Sequence, residues 1–193
     1  IMPPRIYLVG WRNNTISLKS VFRIFLPLTE IGMRDKIILE SIFRGNFMVH
    51  LADIANCSNG FTFREKLQDS ITGNVRVVQI GNIGNEGTFA STKVTMPEPE
   101  SKFCLQKDDI IFRGRGAGFA AVSVPDHDEP MMAASPLIWI RPDHDRVDAA
   151  YLAWVINGPT AQRFFLKTAQ GMIVKAVGVR ELAQLEIPLP SLE

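Results

Sequence analysis

The chain has little cysteine, no long apolar run and almost no net charge. Two cysteines among 193 residues, Cys57 and Cys104, make no disulfide framework. Both read as small packing residues of a protein kept in a reducing, cytoplasmic compartment. The longest apolar stretches, such as residues 117–124, fall far short of the ~20 residues that a membrane-spanning helix requires. No membrane partner is therefore expected. Ile1-Met2-Pro3-Pro4 lacks the charged start and apolar centre of a secretory signal. A net charge of +1 neither demands nor excludes nucleic acid, but a DNA binder with this balance must gather its cations on one face. No internal repeat or low-complexity tract is present. What is abundant is apolar side chain, at 46%, enough for one well-buried core. With 12 prolines and 14 glycines, that core is cut by many turns.

Residues 1–44 differ in character from the rest of the chain. Residues 6–9 are a short β-like run, residues 21–26 are apolar up to Pro27, and Ile37, Ile38 and Ile42 fall at helical spacing before Gly45. This part is expected to be an N-terminal extension, partly helical. From Phe47 the chain is β-rich. Residues 48–55 read as a strand or a short helix, and Asn59-Gly60 as a turn. Val75-Arg76-Val77-Val78-Gln79-Ile80 is β-branched and bounded by turn residues, which predicts a strand. Further strands are expected at residues 110–112, 120–124, 137–140 and 185–189. Asp148 is a plausible N-cap for a helix that ends at Asn157-Gly158-Pro159, and residues 160–168 and 179–185 read as two more short helices. Strands mixed with short helices, without strict alternation, predict an α+β fold.

Six signatures follow one another between Gly45 and Glu193. Leu51-Ala52-Asp53-Ile54-Ala55 runs into Asn59-Gly60-Phe61-Thr62-Phe63. Val77-Val78-Gln79-Ile80-Gly81-Asn82-Ile83 is a strand with a polar turn. Lys107-Asp108-Asp109-Ile110-Ile111, Asp148-Ala149-Ala150-Tyr151-Leu152 and Gly171-Met172-Ile173 come next, and Leu182-Ala183-Gln184-Leu185-Glu186-Ile187-Pro188-Leu189-Pro190 closes the series. In this order they resemble one target-recognition domain of the specificity subunit of type I restriction-modification systems. One departure is Asp108, where the family has glycine. The resemblance implies a single α+β domain over residues 45–193 with mixed, mostly antiparallel strands and short helices. It implies a partner in double-stranded DNA, and methyltransferase (modification) and restriction subunits that carry the chemistry, with no cofactor of its own. In the family a second recognition domain reads the other half of a split target. The family's chains continue past this Pro-x-Pro into a long spacer helix, which pairs the two domains and docks them on the methyltransferase, whereas the sequence here ends at Glu193.

A recognition domain must read base edges and anchor itself on phosphates. Arg113-Gly114-Arg115-Gly116-Ala117-Gly118 offers two guanidiniums between glycines, suited to forked contacts with guanine or phosphate; it reads equally as a glycine-rich turn with arginines in solvent. Gln79, Asn82 and Asn85 carry amides that suit adenine, or that simply serve turn geometry. Strand alternation puts Arg76 on the face opposite Gln79. Arg64 and Lys66 stand beside Phe61 and Phe63, aromatics that also suit a core. Lys167 and Lys175 bracket a loop and could hold phosphate.

Enzyme readings fail on context. Gly114-x-Gly116-x-Gly118 follows a strand, but a dinucleotide or S-adenosylmethionine site needs a helix next, and residues 119–124 read as another strand. Pro3-Pro4 is followed by Arg5, unlike a DNA methyltransferase tetrapeptide. Asp126-His127-Asp128 and Asp143-His144-Asp145 hold metal-ligand types, yet each lies beside proline in a loop where neighbours rarely converge on one ion. His50 has no evident partner. The remaining alternative is an assembly module or degenerate specificity fragment that packs on partner chains.

Overall fold

The computed structural model describes residues 47–84, 89–116, 118–172 and 174–189. The expectations for residues 1–44, and Asn85, lie outside them. Met48–Leu189 form one compact unit. In chain order its elements are β1 (Phe47–His50), α1 (Leu51–Ile54), β2 (Ala55–Asn59), β3 (Val75–Val78), a 3-10 turn (Ile80–Asn82), β4 (Thr92–Val94), a second 3-10 turn (Ser101–Phe103), β5 (Ile110–Arg113), β6 (Ala120–Ser123), β7 (Met131–Ala133), β8 (Ile138–Pro142), α2 (Ala149–Asn157), α3 (Pro159–Thr168), α4 (Val179–Ala183) and β9 (Glu186–Leu189).

The apolar runs that read as strands build the middle of a four-stranded sheet, ordered β2-β8-β5-β6 and antiparallel throughout. β5 is buried at all four positions. A strand covered on both faces shows no polar alternation, and the two faces of this one have different covers. Ile111, Val122 and Trp139 face a second sheet, β4-β3-β7, and meet Val78, Met131 and Ala133 there. The opposite side carries Phe112 beneath α3, its ring centroid 5.0 Å from that of Phe165. Both rings are fully buried, worth about 2–3 kcal/mol each. In the second sheet β3 pairs antiparallel with β4 but parallel with β7, with Val77 opposite Met132. Its far face carries Val75, Val77, Val94 and Met132 under Phe61, Phe63, Leu67, Met96 and Phe103. The result is the mixed, mostly antiparallel α+β architecture that the sequence implied.

Local chemistry fixes the helix ends. Asp148 Oδ1 accepts from the amides of Ala150 and Tyr151, at 2.9 and 3.0 Å, which starts α2 where the sequence placed it. At the other end Asn157 bonds the backbone of Ala121 twice, accepting from its N–H and donating to its carbonyl. Since β6 is an edge strand, this side chain occupies groups that would otherwise stand open to pairing. Burial pushes the Tyr151 hydroxyl up to about 12, and that hydroxyl donates to the Pro188 carbonyl. Burial also pushes the Cys57 thiol up to about 12 and raises that of Cys104; both are free thiols.

Charge is handled in pairs. Asp109, 1% exposed, takes both prongs of Arg141, at 2.8 and 2.7 Å. Glu129 holds Arg76 and Lys93 together across β3 and β4; its hydrogen bond from Lys93 comes first among the causes that keep its carboxyl below the usual range.

Asp108, the residue in the glycine position of the resemblance, has φ +66. Only glycine, and to a lesser degree asparagine and aspartate, enter that left-handed region readily. Aspartate is thus among the few residues other than glycine that fit this position. Asp108→Val is expected to lower stability by about 1–2 kcal/mol, with Asp108→Gly within about 0.5 kcal/mol of the parent. Urea denaturation of the two variants checks this, and equal losses would show that φ at this position is not constrained.

Candidate nucleic-acid interface

Three stretches far apart in sequence meet around the turn that joins β5 to β6. The first is the turn itself, 113–118. Gly116 and Gly118 have φ +88 and +125, backbone that a side chain would strain, so this turn needs its glycines. Gly114 is required by space instead: a Cβ there would lie 2.5 Å from the Val177 carbonyl oxygen. That closeness allows the second stretch to join the first. Val177 N–H donates to Gly114 O at 2.8 Å, and Ala176 is bridged to Arg115. Ala176 also closes a small hairpin with Gln170 through bonds of 2.9 and 2.8 Å, with Gly171 at φ +117 in its turn. The third stretch, 79–84, is held by Arg113.

Among the predicted cations, Arg113 alone is buried. It is 6% exposed, and its guanidinium donates to the carbonyls of Gly118 at 3.0 Å and Ile83 at 2.5 Å. It ties the two loops together from below. The reason lies in β5: Arg113 continues a strand covered on both faces, so its side chain has no outward direction to take.

Arg115 is exposed, as are Lys175 on the hairpin and Lys167 in the last turn of α3. These cations, of which the sequence paired only Lys167 with Lys175, belong to adjoining segments. Gly116, Gly118, Phe119, Leu166, Val174 and Lys175 line a cavity of about 280 Å³ between them. Gln79 and Asn82 are half-buried. Asn82 Oδ1 accepts from the Gln79 amide at 2.8 Å and so closes its own turn. Arg64 and Lys66 are exposed on a different surface, where they line a groove of about 930 Å³ over the far face of the β4-β3-β7 sheet.

The Asp-His-Asp triplets take part in local structure. Asp126 pairs with Lys107 at 3.4 Å, both ring nitrogens of His127 lie against carbonyl oxygens, and Asp143 accepts from the Asp145 amide. Among the described residues no group of three or more His, Cys, Asp or Glu side chains could hold a metal ion.

The model of the type I restriction modification DNA specificity domain matches residues 45–193. The chain belongs to this family. Solved structures agree with its fold. The S subunit of a type I restriction-modification system from M. genitalium superposes with a TM-score of 0.53 at 14% identity, over 75% of this chain and 34% of the other. A chain from a study of complex assembly and conformational transition of the type I R-M system gives 0.59 at 15%, over 80% and 38%. The HsdS subunit from Thermoanaerobacter tengcongensis gives 0.54 at 12%, over 81% and 39%. The specificity domain therefore spans less than two-fifths of the length of these chains. No curated protein sequence matches it.

Sequence reasoning passed over the apolar members of this surface. Met172 is fully exposed, and Leu166 and Val174 are partly so, on the helix and the hairpin that flank the glycine turn. The available signal was Gly171-Met172-Ile173-Val174, an apolar run directly after a glycine.

Proposed function

We propose that this specificity domain recognises one part of a double-stranded DNA target and directs separate methyltransferase and restriction subunits to it, without catalysing a reaction itself. One observation carries the reading beyond family membership: Arg115 and Lys175 are exposed on segments joined by the Gly114–Val177 hydrogen bond, and Lys167 is exposed in the last turn of α3, whose Leu166 lines the same cavity as Lys175. A chain of net charge +1 thus gathers cations beside backbone that has no side chains to keep DNA away. Arg115 and the two lysines suit phosphates, and the amides of Gln79 and Asn82 lie on a loop tied to the same turn by Arg113. Arg64 and Lys66 would meet a more distant part of the duplex, or none. A second recognition domain would read the other half of a split site.

The test is binding to mixed-sequence duplex DNA across a salt series. Affinity is expected to fall linearly on a log–log scale, as counterion release requires. Arg115→Ala with Lys175→Ala is expected to weaken binding and to reduce the salt slope by about 2, one for each phosphate contact. No duplex binding at low salt would overturn the proposal, and an unchanged slope would move the interface elsewhere.

A further inference from the structure

The cations leave part of this surface unexplained. Met172 stands fully in solvent at the turn of the 170–176 hairpin, at 103% relative exposure, with Leu166 at 60% and Val174 at 46%. Phe119 lies half-buried in the cavity wall beside Leu166 and Val174. Isolated exposed apolar side chains are ordinary, but these belong to one cavity rim or to the hairpin that forms it. Cations border the group: Lys175 lines the same cavity, Lys167 follows Leu166, and Arg115 is bridged to the base of the hairpin at Ala176. Glu181, near the base of the hairpin, is turned onto the Gly178 amide and Gln170, at 3.1 Å each.

An apolar tip with a cationic border matches a duplex in one particular way. The major groove is wide enough for an α-helix or a two-stranded ribbon, and so for the narrower loop closed between Gln170 and Ala176; the apolar feature it displays is the C5-methyl of thymine. Base faces are also apolar, but reaching them means unstacking a step, at a cost of a few kcal/mol, while the methyl group is met without distortion. We infer that Met172 reads a thymine methyl in the major groove, with the hairpin oriented by phosphate contacts of Lys175, Lys167 and Arg115. The inference rests on the DNA-recognition reading above and adds a specificity-determining residue to it. The hairpin is suited to the task. Its base is pinned by two backbone bonds between Gln170 and Ala176, and Gly171 at φ +117 permits the bend, since a Cβ there would lie 2.3 Å from the Val174 carbonyl oxygen. The base of the loop that carries Met172 is thus joined to the segment that carries Arg115.

The experiment uses the full chain and a duplex enriched from a random pool, synthesised once with thymine and then with uracil at each thymine in turn. Uracil lacks only the C5-methyl. Wild-type protein is expected to lose about fourfold in affinity at one position, the equivalent of one buried methyl group. Met172→Ala is expected to bind the thymine duplex about as weakly as wild type binds the uracil one, to be indifferent to the exchange, and to keep the wild-type salt slope. As Met172 is fully exposed, the variant should fold like the parent, which its urea midpoint verifies. An enriched target without thymine, equal wild-type affinity for the two duplexes, or a thymine preference that survives in Met172→Ala each overturns the inference and leaves DNA recognition standing. A protein partner seated on the tip predicts the second of these results. Failure to bind any duplex overturns both readings together.

Discussion

Arg141→Ala is expected to lower the stability of the domain by about 3–5 kcal/mol. The reason is what the substitution leaves behind. Asp109 has 1% of its surface in solvent, and its oxygens accept from Arg141 Nε at 2.8 Å, Arg141 Nη2 at 2.7 Å and the Gln106 amide at 2.7 Å. With Arg141 gone, a carboxylate stays buried with one neutral donor. Arg141 also bonds the Cys104 carbonyl at 3.1 Å and lies 5.0 Å from the Trp139 ring, so the residue joins three parts of the core's rim. Arg141→Lys keeps the charge and loses the fork, and should fall between the two. Asp109→Leu combined with Arg141→Met removes both charges and should recover part of the loss, because the penalty comes from the unpaired ion more than from the missing attraction. The measurement is the urea midpoint at constant m-value. A loss below about 1 kcal/mol for Arg141→Ala would mean that water reaches Asp109 and replaces its partner.

Arg113→Met is expected to separate stability from DNA contact. Met approximates the length of the side chain but donates no hydrogen bond to the carbonyls of Ile83 and Gly118, which the guanidinium now satisfies. A loss of about 2–3 kcal/mol is expected when bonds from a charged donor in a buried setting are removed. Binding to duplex should weaken as the loops at 79–84 and 113–118 loosen, while the salt slope stays as in wild type, since Arg113 is not at the surface. Arg115→Ala should give the reverse pattern: little change in the urea midpoint and a slope lower by about 1. If Arg113→Met instead lowers the slope and spares stability, its guanidinium turns outward in the complex.

The contrast between these arginines marks how far the sequence could be read. Both stand in one glycine-rich segment with the same chemistry. Only the sheet decides between them, because Arg113 pairs with Ala120 in the last register position of β5 and Arg115 lies past it. Strands β3, β5 and β8 were legible because each is a β-branched or aromatic run between turn residues, and β6 because its small apolar residues run up to Pro125. β2, Ala-Asn-Cys-Ser-Asn, was not, since it is a polar edge strand that owes its form to β8. β7, Met-Met-Ala, reads as helix by propensity and becomes a strand by pairing with β3, more than fifty residues earlier. The site shows the same limit. Arg115 and Lys175 were visible as residue types, but their convergence depends on the hydrogen bond from Val177 to Gly114, a contact without any local signal.

The first and last strands of the unit, β1 and β9, form a sheet of their own, and the Leu51 amide bonds the Leu185 carbonyl beside it at 2.8 Å. The chain therefore comes into this fold and leaves it at one place. A fold with a single doorway can be exchanged whole, by recombination on either side of it, and whatever it is attached to need not be rearranged. Changes in what is read and changes in what is attached can then accumulate independently.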